Sequence, residues 1–159
     1  MIFKVKARSS YRQNLWWYHK VIVKNNISGT FQFKSGACYS TIKNIATNKI
    51  IGLSDGLFHM DNSVRIGYRW NLEVGCLELM CLRHLNKKRV SEHLMYVKPK
   101  NTWEKIWFSI SIDMDKYIIK IDGRRFEFDR VSEYRGIRYV LFPYVEPSIG
   151  IDTIIDIEL

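Results

Sequence analysis

One pentapeptide matches a motif of nucleophilic catalysis. The run Gly52–Gly56 (GLSDG) has the GxSxG spacing of a serine nucleophile, and His59 and Asp61 follow it closely. That chemistry needs a strand before the serine and a helix after it, so that the hydroxyl is raised above a parallel sheet. Here residues 57–69 lead into a strand. The pentapeptide therefore predicts a glycine-bounded turn.

The acidic residues do not form a recognisable catalytic pair. Hydrolysis of a glycoside needs two carboxylates that face each other across a cleft, one of them with a raised pKa. Glu73, Glu78 and Glu92 are candidates by residue type, but no string of alternating acids places two of them on one strand face. We interpret them as solvated surface residues and expect a protein that is not an enzyme.

Metal ligands are equally sparse. The four histidines are scattered along the chain, at His19, His59, His84 and His93. His84 and His93 flank a predicted turn and could approach each other across a hairpin, but no third ligand accompanies them. Asp55, Asp61 and Asn62 are rich in oxygen donors without the spacing of a calcium loop. We expect no bound metal and no cofactor.

Aromatic and basic residues are interleaved near the N-terminus. They are Tyr11, Arg12, Trp16, Trp17, Tyr18, Lys20 and Lys24. Stacking faces beside cations would suit nucleic acid, yet no nucleic-acid-binding motif is present. Because neighbouring strand residues point to opposite faces, Trp16 and Trp17 can hardly share one core. One of them is predicted to lie on a surface that contacts protein, sugar or base.

Two arginines share one face of the most regular strand. In residues 64–70, Arg65 and Arg69 lie on the less apolar face. They could line a concave binding surface or, alternatively, form cross-strand ion pairs on a solvated face, for instance with Glu78. The candidate binding-surface residues of the whole chain are Arg12, Trp16, Trp17, Tyr18, Lys20, Arg65 and Arg69.

The charge of the chain is unevenly distributed. Of 159 residues, 25 are Lys or Arg and 16 are Asp or Glu, for a formal net charge of +9. Residues 1–54 contain no acid, whereas residues 146–159 contain no base. Antiparallel pairing of the first and last strands would place three bases opposite three acids. These are Lys4, Lys6 and Arg8 facing Asp152, Asp156 and Glu158.

Composition excludes several classes of protein. With 47% hydrophobic residues and three prolines, the chain is neither disordered nor collagen-like. No apolar run approaches the roughly 18 residues of a membrane span, and no secretory signal is visible. Cys38, Cys76 and Cys81 lack metal-binding spacing and are interpreted as reduced thiols. The expected location is the cytoplasm or a virion.

The dominant period of the sequence is two, which is typical of half-buried strands. Alternating runs cover residues 1–8, 18–24, 30–34, 39–43, 63–72, 76–85, 89–97, 106–113, 116–121, 138–144 and 151–159. Short helical turns are expected only at 102–105 and 129–134. The pattern predicts a single all-β domain over residues 1–159, an antiparallel two-sheet sandwich of jelly-roll type.

A resemblance supports this fold class. Residues 48–69 (NKIIGLSDGLFHMDNSVRIGYR), then Leu77–Leu79, Tyr117–Gly123 and Leu141–Tyr144, resemble concanavalin A-like jelly-roll proteins of unknown function from gut Bacteroidetes and their phages. The resemblance implies the fold and no residue role, since this architecture serves lectins, glycan-processing enzymes and viral proteins alike.

These observations predict a non-catalytic structural or interaction protein, such as a phage-type virion accessory or assembly component. Its partner would be a protein or larger assembly with an acidic surface, and the chain could form an oligomer. The alternative is a carbohydrate-binding, lectin-like module that stacks sugar on Trp16 or Trp17 and contacts it through Arg65 and Arg69. Nucleic acid is a less favoured partner, and no membrane partner is expected.

Overall fold

The described part of the chain consists of strands and the loops between them. The computed structural model describes residues 2–5, 22–23, 25–35, 47–98, 103–144 and 153–159, with the backbone alone at 2–5, 22–23 and 35. The expected helical turns at 103–105 and 129–134 are absent, because these segments lie in loops and strand ends. Across these ranges, no helix exists that could span a membrane.

The strands are numbered in chain order. They are β1 (Ile2–Val5), β2 (Ile22–Val23), β3 (Asn26–Ser35), β4 (Asn48–Ser54), β5 (Asn62–Asn71), β6 (Cys76–Leu85), β7 (Lys88–Val97), β8 (Ile106–Ile112), β9 (Lys116–Ile121), β10 (Arg124–Asp129), β11 (Arg138–Leu141) and β12 (Thr153–Glu158). They form two antiparallel sheets of six strands. The first sheet has the order β1-β12-β3-β8-β9-β10, and the second has the order β2-β11-β4-β5-β6-β7. The predicted jelly-roll sandwich is confirmed.

The core lies between the two sheets. Alternate residues of β3 and β5 point into it, among them Phe33 and Tyr68, which are fully buried with ring centroids 4.9 Å apart. The Tyr68 hydroxyl donates to Thr153 Oγ1 at 3.1 Å, so this buried polar group is satisfied. The alternation predicted for residues 64–70 is therefore correct: its aromatic and aliphatic face packs between the sheets.

The tight turns follow the sequence signals. Asn86 and Lys87, with φ of 50° and 69°, join β6 to β7, and Asp122 and Gly123, with φ of 45° and 82°, join β9 to β10. Positive φ at both central residues is the requirement of a type I′ hairpin turn. These two turns fix the hairpin registers and hence which side chains share a face.

The first and last strands pair antiparallel, as predicted, but the predicted charges do not lie directly opposite one another. In the register of β1 and β12, Lys4 lies opposite Ile154, and Asp156 lies opposite Ile2. The carboxylate of Glu158 is bound by Lys105 Nζ at 2.9 Å. Of the other residues named for this pairing, Lys6, Arg8 and Asp152 lie outside the described residues.

Two strands, β4 and β10, were missed by the sequence pattern. In β4, all residues except the half-buried Lys49 are buried, so the strand has no polar alternation. In β10, an edge strand, only Phe126 and Phe128 turn toward the core, and charged residues dominate the rest. Strand β4 has no polar face to give an alternating pattern, and the alternation in β10 places only two residues toward the core, which is a weak signal.

Candidate functional site

The outer face of the second sheet carries the candidate site. We define this face as the side chains of β4 to β7 and β11 that point away from the core. On β5, β6 and β7 they are Ser63, Arg65, Gly67, Arg69, Glu78, Met80, Leu82, His84, Arg89, Ser91, His93 and Tyr96. Most residues in the middle of the face are buried, and those along β7 are exposed.

A β-bulge brings two aromatic side chains onto this face. The register shifts between Leu79 and Met80, so that Glu78 faces Tyr96 while Met80 faces His93. Because the bulge adds one residue to β7, His93 and Tyr96 point to the same side although they are three residues apart. Their rings lie 4.5 Å apart, centroid to centroid.

A buried carboxylate organises the polar groups around it. Glu78 Oε2 accepts a hydrogen bond from Arg69 Nε at 2.6 Å and a longer one from Asn71 Nδ2 at 3.4 Å. Glu78 Oε1 lies 2.8 Å from His93 Nδ1. We call Arg69, Asn71, Glu78, His93 and Tyr96 the Glu78 cluster.

Glu78 is held in its ionised form. Burial raises the pKa of its carboxyl, but hydrogen bonds from Arg69 and His93 more than offset this and hold the pKa below its ordinary value. The residue is 3% exposed. A carboxylate with a lowered pKa cannot serve as a general acid near neutral pH, so it positions its neighbours instead.

The groups around Glu78 remain accessible. The side chain of Arg69 is 34% exposed and that of His93 is 43% exposed. Within the described contacts, Glu78 occupies Arg69 Nε and His93 Nδ1, which leaves the terminal guanidinium nitrogens and His93 Nε2 for a ligand. Tyr96, 44% exposed, offers its ring beside them.

Asn71 is fixed by the turn that follows β5. Its Oδ1 accepts hydrogen bonds from the backbone N–H groups of Glu73 and Val74, both at 3.1 Å. This turn closes through Gly75, whose φ of 64° suits a residue without a Cβ. The amide nitrogen of Asn71 is thereby aimed at Glu78, and a shallow cavity beside it is lined by Arg69, Trp70 and Glu73.

The structure places two of the site residues predicted from the sequence on the outer face of the second sheet. Arg69 lies on the predicted face and forms the ion pair with Glu78 that was the alternative interpretation. Arg65 shares the face but is only 7% exposed. The interpretation of Glu78 as a solvated residue is wrong, because it is buried under its partners. The remaining candidates, Arg12, Trp16, Trp17, Tyr18 and Lys20, lie outside the described residues.

Sequence reasoning missed His93 and Tyr96 as members of a site. Strict alternation places residues three apart on opposite faces, and only the bulge reverses this. The two predicted neighbours His84 and His93 do not face each other, since His84 pairs with Arg89 and His93 with Met80. The spacing of the sequence contains no signal for a bulge at this point.

His84 is a buried neutral histidine. Burial, reinforced by the charges of Arg65, Lys49 and Arg89, lowers the pKa of His84 to about 4. Its Nδ1 lies 3.2 Å from Ser63 Oγ. Over the described ranges, no group of three or more His, Cys, Asp or Glu side chains is placed to hold a metal ion.

The turn predicted at GLSDG is only partly correct: Gly52–Ser54 are the last residues of β4, and Asp55 and Gly56 begin the loop to β5. Ser54 is fully buried, and its Oγ accepts a hydrogen bond from the backbone N–H of Tyr139 at 3.0 Å. Gly52 lies so close to β5 that an added Cβ would be 2.4 Å from the Val64 carbonyl oxygen. Ser54 therefore has no role as a nucleophile.

Asp55 has a structural environment that the sequence did not reveal. It is fully buried and receives Arg130 Nε at 2.6 Å, Arg138 Nε at 3.1 Å and the Tyr117 hydroxyl at 2.8 Å. Arg130 and Arg138 also donate to the Tyr134 carbonyl oxygen. Burial and the charge of Asp55 raise the pKa of Tyr117. We call Asp55, Tyr117, Arg130 and Arg138 the Asp55 cluster; it joins β4 and β11 of the second sheet to β9 of the first.

No protein-family model and no curated protein matches this sequence. Solved structures with a similar fold include a non-specific endo-β-1,3(4)-glucanase of family GH16, with a TM-score of 0.54 and 11% identity over 85% of this chain. The chain spans 56% of that glucanase. A toad ovary galectin in complex with thio-digalactose has a TM-score of 0.52 and 13% identity, covering 89% of this chain and 96% of the galectin.

A third similar structure is a protein of unknown function from Saccharomyces cerevisiae, with a TM-score of 0.59 and 10% identity, covering 99% of this chain and 85% of that one. Identities this low show the fold alone. The prediction of a phage virion or assembly component is wrong, because the neighbours with a stated function are a glycoside hydrolase and a galectin. The concanavalin A-like jelly-roll fold is confirmed, whereas the bacterial and phage source implied by the resemblance stays a prediction.

Proposed function

We propose that this protein binds carbohydrate on the outer face of the second sheet, through the Glu78 cluster. The observation that carries the proposal is the arrangement around Glu78: one buried carboxylate holds Arg69 and His93 in place beside the exposed ring of Tyr96. Groups of fixed orientation lose little entropy when a ligand binds, so such an arrangement is suited to recognition.

The chemistry of the cluster matches that of a sugar. A pyranose presents hydroxyl groups around its rim and an apolar face of C–H groups. Arg69 and His93 can exchange hydrogen bonds with the hydroxyls through the nitrogen atoms that Glu78 leaves uncommitted. The Tyr96 ring can pack against this apolar face, because a partly exposed aromatic ring offers an apolar surface to a ligand. A small number of placed polar groups beside an aromatic ring is typical of ligand sites.

Similar folds support a glycan as the ligand class. The galectin was solved with thio-digalactose, and the GH16 enzyme is a glucanase. Both are distant in sequence, so the argument for this chain depends on its own residues. The stacking role predicted for Trp16 or Trp17 stays a prediction, and Tyr96 takes that role among the described residues.

The site favours binding over hydrolysis. Glycosidases need two carboxylates about 5–9.5 Å apart, one of which is protonated when catalysis begins. Among the described strand residues of this face, Glu78 is the single carboxylate, and its pKa is lowered. We therefore propose a lectin-like module without glycosidase activity.

The proposal is tested with Tyr96→Ala and a matched aromatic variant on the other sheet. Trp107 on β8 is 41% exposed, close to the 44% of Tyr96, and lies on the outer face of the first sheet. A glycan array identifies ligands of the full chain, and calorimetry measures their affinity. Tyr96→Ala should lose at least about tenfold in affinity, which corresponds to 1.4 kcal/mol, while Trp107→Ala keeps it. Absence of any glycan ligand, or equal losses in both variants, would refute the proposal.

A further inference from the structure

We infer that the glycan bound on the outer face of the second sheet is anionic, carrying carboxylate or sulfate groups; this inference rests on the proposed function. Its basis is the charge of that face. The described strand residues there include four cations and one carboxylate. The cations are Lys49, Arg65, Arg69 and Arg89, and the carboxylate is Glu78. Lys49 and Arg65 have contacts of their own, so Arg69 and Arg89 carry the inference.

The outer face of the first sheet shows that this excess is local. Its described strand side chains include equal numbers of cations and acids. They are Lys34, Lys116, Lys120 and Arg125 with Glu127, Asp129, Asp156 and Glu158. Several of these pair directly, such as Lys116 with Asp129 at 2.6 Å and Arg125 with Glu127 at 2.7 Å. A balanced face offers little attraction to an anion, whereas a face with an excess of cations attracts anionic ligands.

Two guanidinium groups of the second sheet are accessible to a ligand. Arg69 gives only Nε to Glu78 in the described contacts, so that its two terminal nitrogens form a fork of the shape that binds carboxylate or sulfate. Arg89 is exposed on β7 and has no ion-pair partner among the residues that the structure describes. A neutral sugar does not need either fork, but an acidic sugar pairs with both.

The spacing of these arginines indicates an extended ligand. Arg69 lies opposite Glu78 and Arg89 lies opposite His84, so that six residues of β6 separate the two rows. At about 3.3 Å per residue, this distance is about 20 Å. His93 and Ser91 point outward between them on β7. An oligosaccharide with repeated acidic groups can contact both ends of this row, whereas a single small anion cannot.

The electrostatic environment at the Arg89 end of the row is consistent with this inference. Arg65, Lys49 and Arg89 all act, after burial, to lower the pKa of His84. A histidine surrounded by cations stays neutral, since a further positive charge is unfavourable there. An anionic ligand relieves the same repulsion.

The test compares a neutral glycan with two acidic ones. Calorimetry with the full chain uses a neutral β-glucan oligosaccharide, an oligouronate of equal length and a sulfated oligosaccharide, each at low and at physiological ionic strength. A single-stranded oligonucleotide serves as a further anionic probe. The oligouronate or the sulfated glycan should bind at least about tenfold more tightly than the neutral one, with an advantage that shrinks as salt is added.

Arg89→Gln is the main variant, because it breaks no described ion pair and leaves the Glu78 cluster intact. It should reduce the preference for the acidic glycan several-fold and leave neutral-glycan affinity unchanged. Arg125→Gln, an exposed arginine on the first sheet, is the matched control and should change neither. Arg69→Gln should weaken both classes of glycan, since Arg69 also belongs to the Glu78 cluster.

The outcomes separate this inference from the proposed function. Equal, salt-independent affinity for neutral and acidic glycans would overturn the charge inference and leave carbohydrate binding intact. Failure to bind any of the glycans would overturn both. Tighter binding of the oligonucleotide than of either acidic glycan would overturn the inference in favour of nucleic acid.

Discussion

Asp55 and Glu78 are both buried carboxylates bound by arginine, yet they lie in opposite kinds of surroundings. The arginines around Asp55 are themselves buried, with 6% of each side chain exposed. Those around Glu78 reach the surface, with Arg69 34% exposed and His93 43% exposed. Burial of a carboxylate therefore does not by itself separate a structural role from a ligand-binding role. The exposure of the side chains that bind the carboxylate does.

The two arrangements differ in whether the hydrogen-bond donors around the carboxylate are used inside the protein or remain available at the surface. Asp55 accepts hydrogen bonds from three side chains of both sheets, and the remaining nitrogens of Arg130 and Arg138 bind backbone carbonyl oxygens and Asn25. Every nitrogen of the two guanidinium groups donates inside the protein. At Glu78 the carboxylate is satisfied, but its partners keep donors uncommitted among the described contacts. A closed network stabilises the fold, and an open one can recognise a ligand.

The largest effect is expected from Asp55→Ala. Removal of this carboxylate leaves two buried guanidinium groups without their anion, so the free energy of unfolding should fall by about 3–5 kcal/mol. Urea unfolding of the purified variant measures the change. Asp129→Ala, which removes an exposed partner of Lys116, is the control and should unfold like the parent. A loss at Asp55 no larger than at Asp129 would contradict the structural role of the Asp55 cluster.

Glu78→Gln should cause a smaller loss of stability than Asp55→Ala, together with a loss of glycan affinity. Because Arg69 and His93 can hydrogen-bond to solvent in this variant, the free energy of unfolding should fall by only about 1–2 kcal/mol. Glycan affinity should fall by more than tenfold, since both ligand-binding groups lose their anchor. Unfolding curves and calorimetry on one preparation give both values. Undiminished glycan binding in this variant would show that Glu78 does not position its neighbours.

Tyr117→Phe should lower the free energy of unfolding by as much as Glu78→Gln or less, and should not affect glycan binding. The variant deletes one of the donors to Asp55 and leaves both arginines in place, so a loss of about 1 kcal/mol is expected. Glycan affinity should not change, because the Asp55 cluster is not part of the proposed binding site. A change in glycan affinity would mean that the two clusters are coupled and that the comparison is too simple.

The pH dependence of Glu78 gives the smallest effect. Since folding lowers the pKa of this carboxyl, its contribution to stability is complete above the ordinary value of 4.5 and is lost as the pH falls through the lowered folded value. The difference in unfolding free energy between the parent and Glu78→Gln should therefore be constant near neutral pH and shrink in acid. Urea titrations at a series of pH values measure it. A difference that grows as the pH falls would contradict the assigned direction.

The alternation of residues such as Val64, Ile66 and Tyr68 was enough to predict the fold class, because a period-2 face repeated along the chain without helices is buried in a sandwich or a barrel. The turn residues Asn86 and Asp122 located hairpins for the same local reason. Strand β4 was missed because it is buried on both faces, and β10 because it turns only Phe126 and Phe128 toward the core. Two of the five residues of the Glu78 cluster, Arg69 and Glu78, also followed from simple cross-strand pairing.

The sequence by itself thus determined the fold class, the hairpins and the face on which Arg65 and Arg69 lie, since each depends on residues close together in the chain. The tertiary structure decided which carboxylates are buried and which partners they have. Asp55 meets Tyr117 and Arg138 from strands far along the chain, and His93 joins Tyr96 through a bulge. Contacts between distant segments depend on how the sheets pack and where a β-bulge shifts the register. A local sequence pattern predicts neither of these.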